Sequence, residues 1–572
     1  MAMSSVSWHR PRPSTHASPS TKSLHSRRRP LAIAFLFVIA NLLHWNNVLV
    51  SSYSSLSSST SFSGEATATS TKVPLATVAY AISITTCTSK LSSSLFDAAS
   101  VLRQSIVLNS WPLHPASQYE AKCYAFTLKP PGSLTVEEEI ARLSQDECSR
   151  ILTLAGWEVL PQSRPVHPEL IKEPEGSILK KDIGSDGCCG DAELIKLSTY
   201  KLLDFNMAVH LDLDTLVIHP LDELFNVMHF NYQSNAGREA RVRLVNEGLV
   251  ASTYLNRRVT GNPSSSSSFN NANGDDASTT ILPKEHNDTA IHHKLLANIT
   301  VNAFFTKDYN MIVPGPQQQR VGVQGGFLLL RPSMSTYLEL INMVYSGEFY
   351  SGFNARSTGW FQSGYGKHVW GAMTIQGLLA YYFDMIDVEH SVELNRCRYN
   401  NIADNARTST FATNAKFPRG TLLPFVRNAS NPRYNFDDGT CRDGREECDD
   451  VNCQRFPISK ARILHYTYCK SPWKCNDCTY LETYKEPMCY AMTREWFRVR
   501  RSLPGEETIS TINLLRAGVG DGSENGPVSI IREDGEVDVI DGNCYKEFYL
   551  GYCLDQGAYV PISHRNFSSI IA

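Results

Sequence analysis

From about residue 75 the chain alternates short apolar runs with amphipathic stretches. Val78 to Cys87, VAYAISITTC, is a continuous apolar run that ends in polar residues, the pattern of a buried strand feeding a turn. Phe96 to Asn109, FDAASVLRQSIVLN, repeats its apolar positions at helical spacing. Further strands are predicted at Cys123 to Thr127, near Trp157 to Leu160 and at Met207 to Leu211, with a helix around Glu193 to Leu203 before the last of them. A strand over Val323 to Arg331, VQGGFLLLR, is followed by helical patterns over Ser335 to Tyr345 and Trp370 to Phe383. Such alternation predicts an α/β domain: a Rossmann-like, mostly parallel sheet flanked by helices, with ligands bound beyond the carboxyl ends of the strands. Between Tyr232 and Thr300 a polar stretch containing SSSSSFNNANGDDAS reads as a surface loop rather than a domain.

The two ends break the pattern. Residues 1–30 are rich in Ser, Pro, His and Arg and read as a disordered cytosolic tail. Residues 31–50, LAIAFLFVIANLLHWNNVLV, have about the length of a transmembrane signal-anchor. Basic residues precede this run and none directly follows, which predicts a single-pass type II protein with its bulk in the lumen of the Golgi or another secretory-pathway membrane. A cleaved signal sequence, giving a secreted protein, is the competing reading. Residues 51–74 read as a Ser/Thr-rich stem, residues 75–500 as the α/β domain with the 232–300 insertion, and residues 501–572 as a Gly- and Asp-rich extension with two cysteines and a predicted hairpin over Val528 to Ile540. Asn287, Asn298, Asn428 and Asn566 open Asn-x-Ser/Thr sequons that this topology would expose to glycosylation.

A net charge of −3, with no long basic run outside the N-terminus, excludes nucleic acid as an expected partner. Fifteen cysteines suggest an oxidising compartment. The cluster Cys441, Cys448, Cys453, Cys469, Cys475, Cys478 and Cys489 reads as a disulfide-stapled region, with a zinc site as the alternative because Cys475 and Cys478 have ligand spacing. For the pair Cys188 and Cys189, just before Lys196, disulfides to distant partners are expected, with a redox role or a part in shaping the adjacent loop as the alternatives.

The sharpest chemical motif is His210-Leu-Asp212-Leu-Asp214-Thr215 at the mouth of an apolar strand. Two carboxylates two residues apart are costly to hold there without a cation, and a divalent ion so bound could stabilise charge developing on a leaving diphosphate. Asp-x-Asp-x-Thr after a strand also opens the active site of phosphatases with an aspartyl nucleophile. Such a strand would stand near the start of a phosphatase domain, whereas more than a hundred residues of α/β pattern precede it here. The aromatic run Trp360, Phe361, Tyr365 and Trp370 could form an acceptor platform or pack internally.

From roughly Val78 to Trp473 the chain resembles glycosyltransferase family 8, the glycogenin-like and galactinol-synthase-like retaining enzymes of GT-A fold. AYAISITTC followed by DAASVLRQSI resembles the family's nucleotide-binding start, which implies donor contacts for Thr85 and Thr86. Lys196-Leu197 resembles the Lys-Leu motif one helix before the DxD, and Asp212, Asp214 and LVIHPLDELF its most recognisable block. Gln324-Gly325-Gly326 stands where the family has Asn-Ser-Gly, and Gln376-Gly-Leu-Leu resembles Asp-Gln-Gly-Leu, with Ile375 in the aspartate's place. Ile463 to Trp473, ILHYTYCKSPW, resembles the block that supplies a histidine and a lysine, although Tyr468 replaces a glycine and Lys470 falls one place early.

The resemblance implies transfer of a hexose from a UDP-sugar to a glycan, protein or small-molecule acceptor. It implies Mn²⁺ or Mg²⁺ on Asp212, Asp214 and His465, and donor contacts from Thr85, Thr86, Lys196, Asp212, Asp214, Gln324, Gly325, Gly326, Gln376 and Lys470. Gln376 would line the β-face of the sugar as the catalytic-site residue, in a front-face transfer without a carboxylate nucleophile. A non-catalytic sugar- or nucleotide-binding relative is the remaining reading.

Overall fold

The computed structural model describes residues 73–86, 92–129, 146–255, 296, 298–312, 320–351, 358–366, 369–407, 441–443, 448, 451–469, 471–474, 487–503, 528–531, 537–540, 559 and 561–562. Residues 1–30, the apolar run 31–50, all of 51–74 but its last two residues, Lys470, Cys475, Cys478 and the four sequon asparagines except Asn298 lie outside these residues. Among the described residues no helix is long and apolar enough to cross a membrane.

In chain order the strands are β1 (Ala76–Ile84), β2 (Tyr119–Leu128), β3 (Glu158–Gln162), β4 (Ala208–Leu211), β5 (Thr215–Val217), β6 (Ala303–Lys307), β7 (Val323–Leu330), β8 (Phe349–Ser351), β9 (Thr358–Trp360), β10 (Ser391–Glu393), β11 (Ile463–His465), β12 (Val528–Ile531) and β13 (Val537–Ile540). Seven of them form one sheet in the spatial order β10-β6-β7-β4-β1-β2-β3. β1 runs parallel to β2 and β4, β2 to β3, and β6 to β10; β7 runs antiparallel to both its neighbours. The sheet is therefore mixed but mostly parallel, as the alternation of elements predicted.

Both faces are covered, which explains why β1 and β7 read as apolar runs rather than alternating ones. On one face helices Ser92–Leu108 and Asp222–His229 pack through residues such as Leu102, Ile106, Leu224 and Phe225 against Tyr80, Ile82, Val209 and Phe327. On the other, the helices Met334–Ser346 and Ile375–Tyr381 and the 3₁₀ helix Gly190–Lys201 bury Leu340, Leu379 and Leu197 against Phe305, Leu328 and Leu330. A third cluster joins the β5/β11 ribbon to helix Pro487–Arg501 through Leu216, Leu464, Trp496 and Phe497.

Several expectations change. The strand predicted over Val78 to Cys87 begins at Ala76 and ends at Ile84. The helix expected over Glu193–Leu203 is a 3₁₀ helix buried over most of its length, and Arg164 Nη2 holds its first turn by donating to Asp191 Oδ1 (2.7 Å). Trp370 to Phe383 is helical only from Ile375, and passes into a π turn at Tyr382–Ile386. The polar segment 232–300 is not all loop. Asn235–Asn246 is a helix capped by Ser234, and Arg241 is buried with its guanidinium donating to the carbonyls of Val227, Gly237 and Ile299. Composition read as polar what tertiary hydrogen bonding satisfies internally.

Disulfides join Cys397 to Cys453, Cys441 to Cys448 and Cys469 to Cys489, as the stapled reading of that region requires. Cys188 and Cys189 depart from expectation: neither bonds to a distant cysteine, and their sulfurs lie 2.7 Å from each other. The hairpin expected over 528–540 forms between β12 and β13.

Phe225 is 2% exposed and meets Tyr119 and Tyr80 edge-on, with ring centroids 5.1 and 6.4 Å away. Phe225→Ala removes that wedge between helix and sheet and is expected to cost about 3–5 kcal/mol in chemical denaturation.

Candidate functional site

The strand order reverses at β1, with β2 on one side and β4 on the other, so the carboxyl ends of β1 and β4 stand at the switch point where sheets of this kind bind ligands. Thr85, half-buried, and Thr86, exposed, follow β1. Asp212 follows β4. Its amide donates to Gly326 O of β7 (3.0 Å), and its carbonyl accepts from Thr215 N (3.1 Å) and Thr215 Oγ1 (2.7 Å). This tight turn starts β5, whose partner in the antiparallel ribbon is β11, with His465 paired to Thr215. His465 is thereby brought from some 250 residues away to within 3.2 Å of Asp214, Nε2 to Oδ1. Ligand atoms of Asp212, Asp214 and His465 all lie within 4.8 Å of one another.

The charges around this cluster are compensated. Lys196 Nζ stands 2.8 Å from Asp212 Oδ1 and 3.2 Å from Glu193 Oε1, and donates to Gly325 O (3.4 Å). Burial disfavours the ammonium, but the carboxylates of Asp212 and Glu193 outweigh it and hold the lysine pKa above its ordinary value. The two aspartates are unequal. Burial lifts the Asp212 carboxyl above the usual range despite Lys196 and His465, whereas for Asp214 the attraction and hydrogen bond of His465 overcome burial and hold it low. For His465, burial opposes charge, yet Asp214 raises its pKa above the ordinary histidine value.

The imidazole is oriented from behind. Asn400 Oδ1 can only accept, so His465 Nδ1 donates to it (3.0 Å), and Asn400 Nδ2 in turn donates to Thr306 Oγ1 (3.0 Å). Nε2 is left to face Asp214 and Thr467 Oγ1 (2.6 Å). Two carboxylates and an imidazole whose outer nitrogen is tied to a carbonyl oxygen are a donor set that fits a divalent cation such as Mn²⁺. Gly326 is required by this packing, because a Cβ there would lie 2.3 Å from His465 Cε1.

The other predicted residues divide. Gly325 and Gly326 line the cluster, and Gln324, 5% exposed, turns its Oε1 onto Gly326 N. Gln376 is 7% exposed and its Oε1 lies against Gly371. Ile375 is fully buried, its Cγ2 3.1 Å from where a Cβ on Gly325 would be, so an apolar side chain underlies the glycines here. Of the aromatic run, Trp360 and Tyr365 are core residues, with Trp360 Nε1 donating to Ala372 O (2.8 Å), while Phe361 and Trp370 are exposed. Sequence reasoning missed Glu193, Asn400 and Thr467 as neighbours of the cluster; His210, which opens the acidic motif, is not part of it. His210 is buried, bonded to Ser83 Oγ (2.9 Å), and held well below the usual histidine range by desolvation, so it is neutral and internal. Only the acidic position of Glu193 three residues before Lys196 could have flagged the first of these.

No family model and no curated protein sequence matches the chain. Solved structures with similarity to it include glycosyltransferases. The WbbM bifunctional glycosyltransferase in its apo form has a TM-score of 0.30 and 10% identity over 79% of this chain, and the chain spans only 54% of that structure. Mouse xyloside xylosyltransferase 1, also apo, has a TM-score of 0.29 and 9% identity over 68% of this chain and 98% of its own. An active-site mutant of LgtC has a TM-score of 0.25 and 11% identity over 73% of this chain and 95% of its own.

A cation on His465 must displace the proton that Asp214 favours, so apparent Mn²⁺ affinity should rise with pH through the raised histidine titration and level off above it. Mn²⁺ titration followed by electron paramagnetic resonance between about pH 6 and about pH 8 checks the sign. Gly326→Ala is expected to weaken Mn²⁺ binding by about 10–100-fold in the same assay, by displacing His465.

Proposed function

We propose that the chain is a metal-dependent, retaining glycosyltransferase of GT-A type that moves a hexose from a UDP-sugar to a glycan, protein or small-molecule acceptor. The observation that carries this reading is the convergence of Asp212, Asp214 and His465 beside Lys196 at the carboxyl ends of β1 and β4. Mn²⁺ or Mg²⁺ held by these three side chains would supply positive charge to a leaving diphosphate. Thr85 and Thr86, at the end of β1, would meet the nucleoside. Lys196 is already charged and fixed between two carboxylates, which suits it to steady Asp212 and to contact the diphosphate or donor sugar. The glycines of β7 let backbone approach the sugar.

Because Ile375 is an apolar core residue, no carboxylate stands at that position to attack the anomeric carbon. The front-face route suits such a site: the departing diphosphate oxygen takes the proton of the acceptor hydroxyl on the face where the new bond forms, while Gln376 lines the opposite face. An aspartyl-phosphatase reading of Asp212 would leave His465 and its Asn400 support without a role. The basic tail and the apolar run 31–50 support a lumenal orientation in the Golgi or another secretory membrane.

Full-length protein supplied with a panel of UDP-sugars and Mn²⁺ should release UDP from one of them and lose that turnover in EDTA. Asp212→Ala and His465→Ala are each expected to lower it on the order of 100-fold or more. Release of phosphate from p-nitrophenyl phosphate, with no UDP-sugar turnover, would favour the phosphatase instead. Lys196→Ala should reduce turnover while leaving the Mn²⁺ titration within a few-fold of the parent, since Lys196 is not among the three ligating groups.

A further inference from the structure

Cys188 and Cys189 occupy a turn that the backbone holds from both sides. Gly187 and Gly190, which flank them, both take left-handed φ, +64° and +59°. A Cβ on Gly190 would lie 2.3 Å from Gly184 O, and one on Gly187 would lie 3.2 Å from Gly371 Cα, so neither glycine can be replaced without moving the loop. The two sulfurs thus pinned are 2.7 Å apart, closer than unbonded thiols sit in ordinary packing.

The pair also borders the candidate site. A Cβ on Gly187, the residue before the pair, would lie 3.4 Å from Glu193 Oε2, and both thiols feel the charges of Glu193 and Lys196. Among the described residues the other free cysteine, Cys123, is buried in the sheet, so Cys188 and Cys189 are the accessible thiols. Hydrogen bonding between the two sulfurs holds the Cys189 thiol below the ordinary cysteine range, so the pair can supply the thiolate that starts disulfide exchange.

From this placement we infer that Cys188 and Cys189 are an oxidisable site that closes into a vicinal disulfide, and that the closed form binds a nucleoside diphosphate more tightly than the dithiol. The oxidant is a small-molecule disulfide. Cys189 as thiolate attacks it and releases one thiol; the Cys188 sulfur then displaces the second thiol from the mixed disulfide, so that one S–S bond forms within the chain, one breaks in the oxidant, and two electrons and two protons leave the pair. The ring is neutral and fixes the loop that packs on Glu193, the partner of Lys196 and so of the group placed to meet an anionic diphosphate, whereas the open pair leaves that loop unlinked. The coupling to nucleotide rests on the transferase reading; the covalent link does not.

Full-length protein is equilibrated with oxidised or reduced glutathione, alkylated, and digested for mass spectrometry, and the affinity for UDP with Mn²⁺ is measured by calorimetry in each state. The peptide carrying residues 188–189 is expected to take up alkyl groups only after reduction, and the oxidised form to bind UDP about fivefold more tightly. Cys188→Ser/Cys189→Ser should bind alike in both buffers although it retains the other disulfides, and the two single variants serve if the double one does not fold. Thiols that alkylate fully after oxidised glutathione overturn the link. A closed ring with unchanged UDP affinity overturns the coupling. A closed ring in a protein that binds no UDP in either state overturns both the coupling and the transferase reading, while the mass spectrum still decides the link.

Discussion

Two carboxylates placed two residues apart at the end of a buried strand repel each other and lose hydration together. In this protein the surrounding elements are arranged to offset that cost. The 3₁₀ helix Gly190–Lys201 docks so that Lys196 reaches Asp212, and the β5/β11 ribbon docks so that His465 reaches Asp214. Each carboxylate has its own cation, and the two compensations come from segments far apart in the chain.

That division makes the aspartates chemically distinct. Asp214, closely bonded to His465, is held ionised; Asp212, more dominated by burial, holds its proton more firmly than an exposed aspartate despite the lysine beside it. The same neighbours dictate the shape of the floor. Gly326 leaves room for the imidazole, and Ile375 fills the space beneath Gly325, so the region that could have carried an attacking carboxylate is part of the core.

The ribbon that carries His465 is itself braced. Tyr466 donates to Asp214 O (2.8 Å) and its hydroxyl to Met492 O (2.6 Å), tying the turn of the acidic motif to helix Pro487–Arg501. Cys469–Cys489 covalently joins the same two segments. Ile562 N donates to Asp97 on helix Ser92–Leu108, so part of the extension beyond residue 500 packs on the domain's first helix. Stapling and packing in this region thus serve the position of one histidine.

By itself the sequence determined the elements whose pattern is long enough to be periodic or continuously apolar, β1, β7 and the helices that follow them, and it marked the short β4 through the acidic pair at its end. It also marked Lys196 and His465 as members of the same chemistry. Short strands such as β6 and β10, of five and three residues, carry too few positions for a period to show, and the buried arginine of helix Asn235–Asn246 looks like surface until its carbonyl partners are in place. Asn400 was illegible as a site residue because a hydrogen bond between remote side chains leaves no spacing in the chain, whereas Glu193 stands only three residues before Lys196. Only the tertiary structure decided that β11 pairs with β5 rather than extending the main sheet, and that Cys188 faces Cys189 rather than a distant partner. Register and close approach are set by how whole elements pack, and that balance of buried area, hydrogen bonds and charge belongs to the folded chain rather than to any one segment of it.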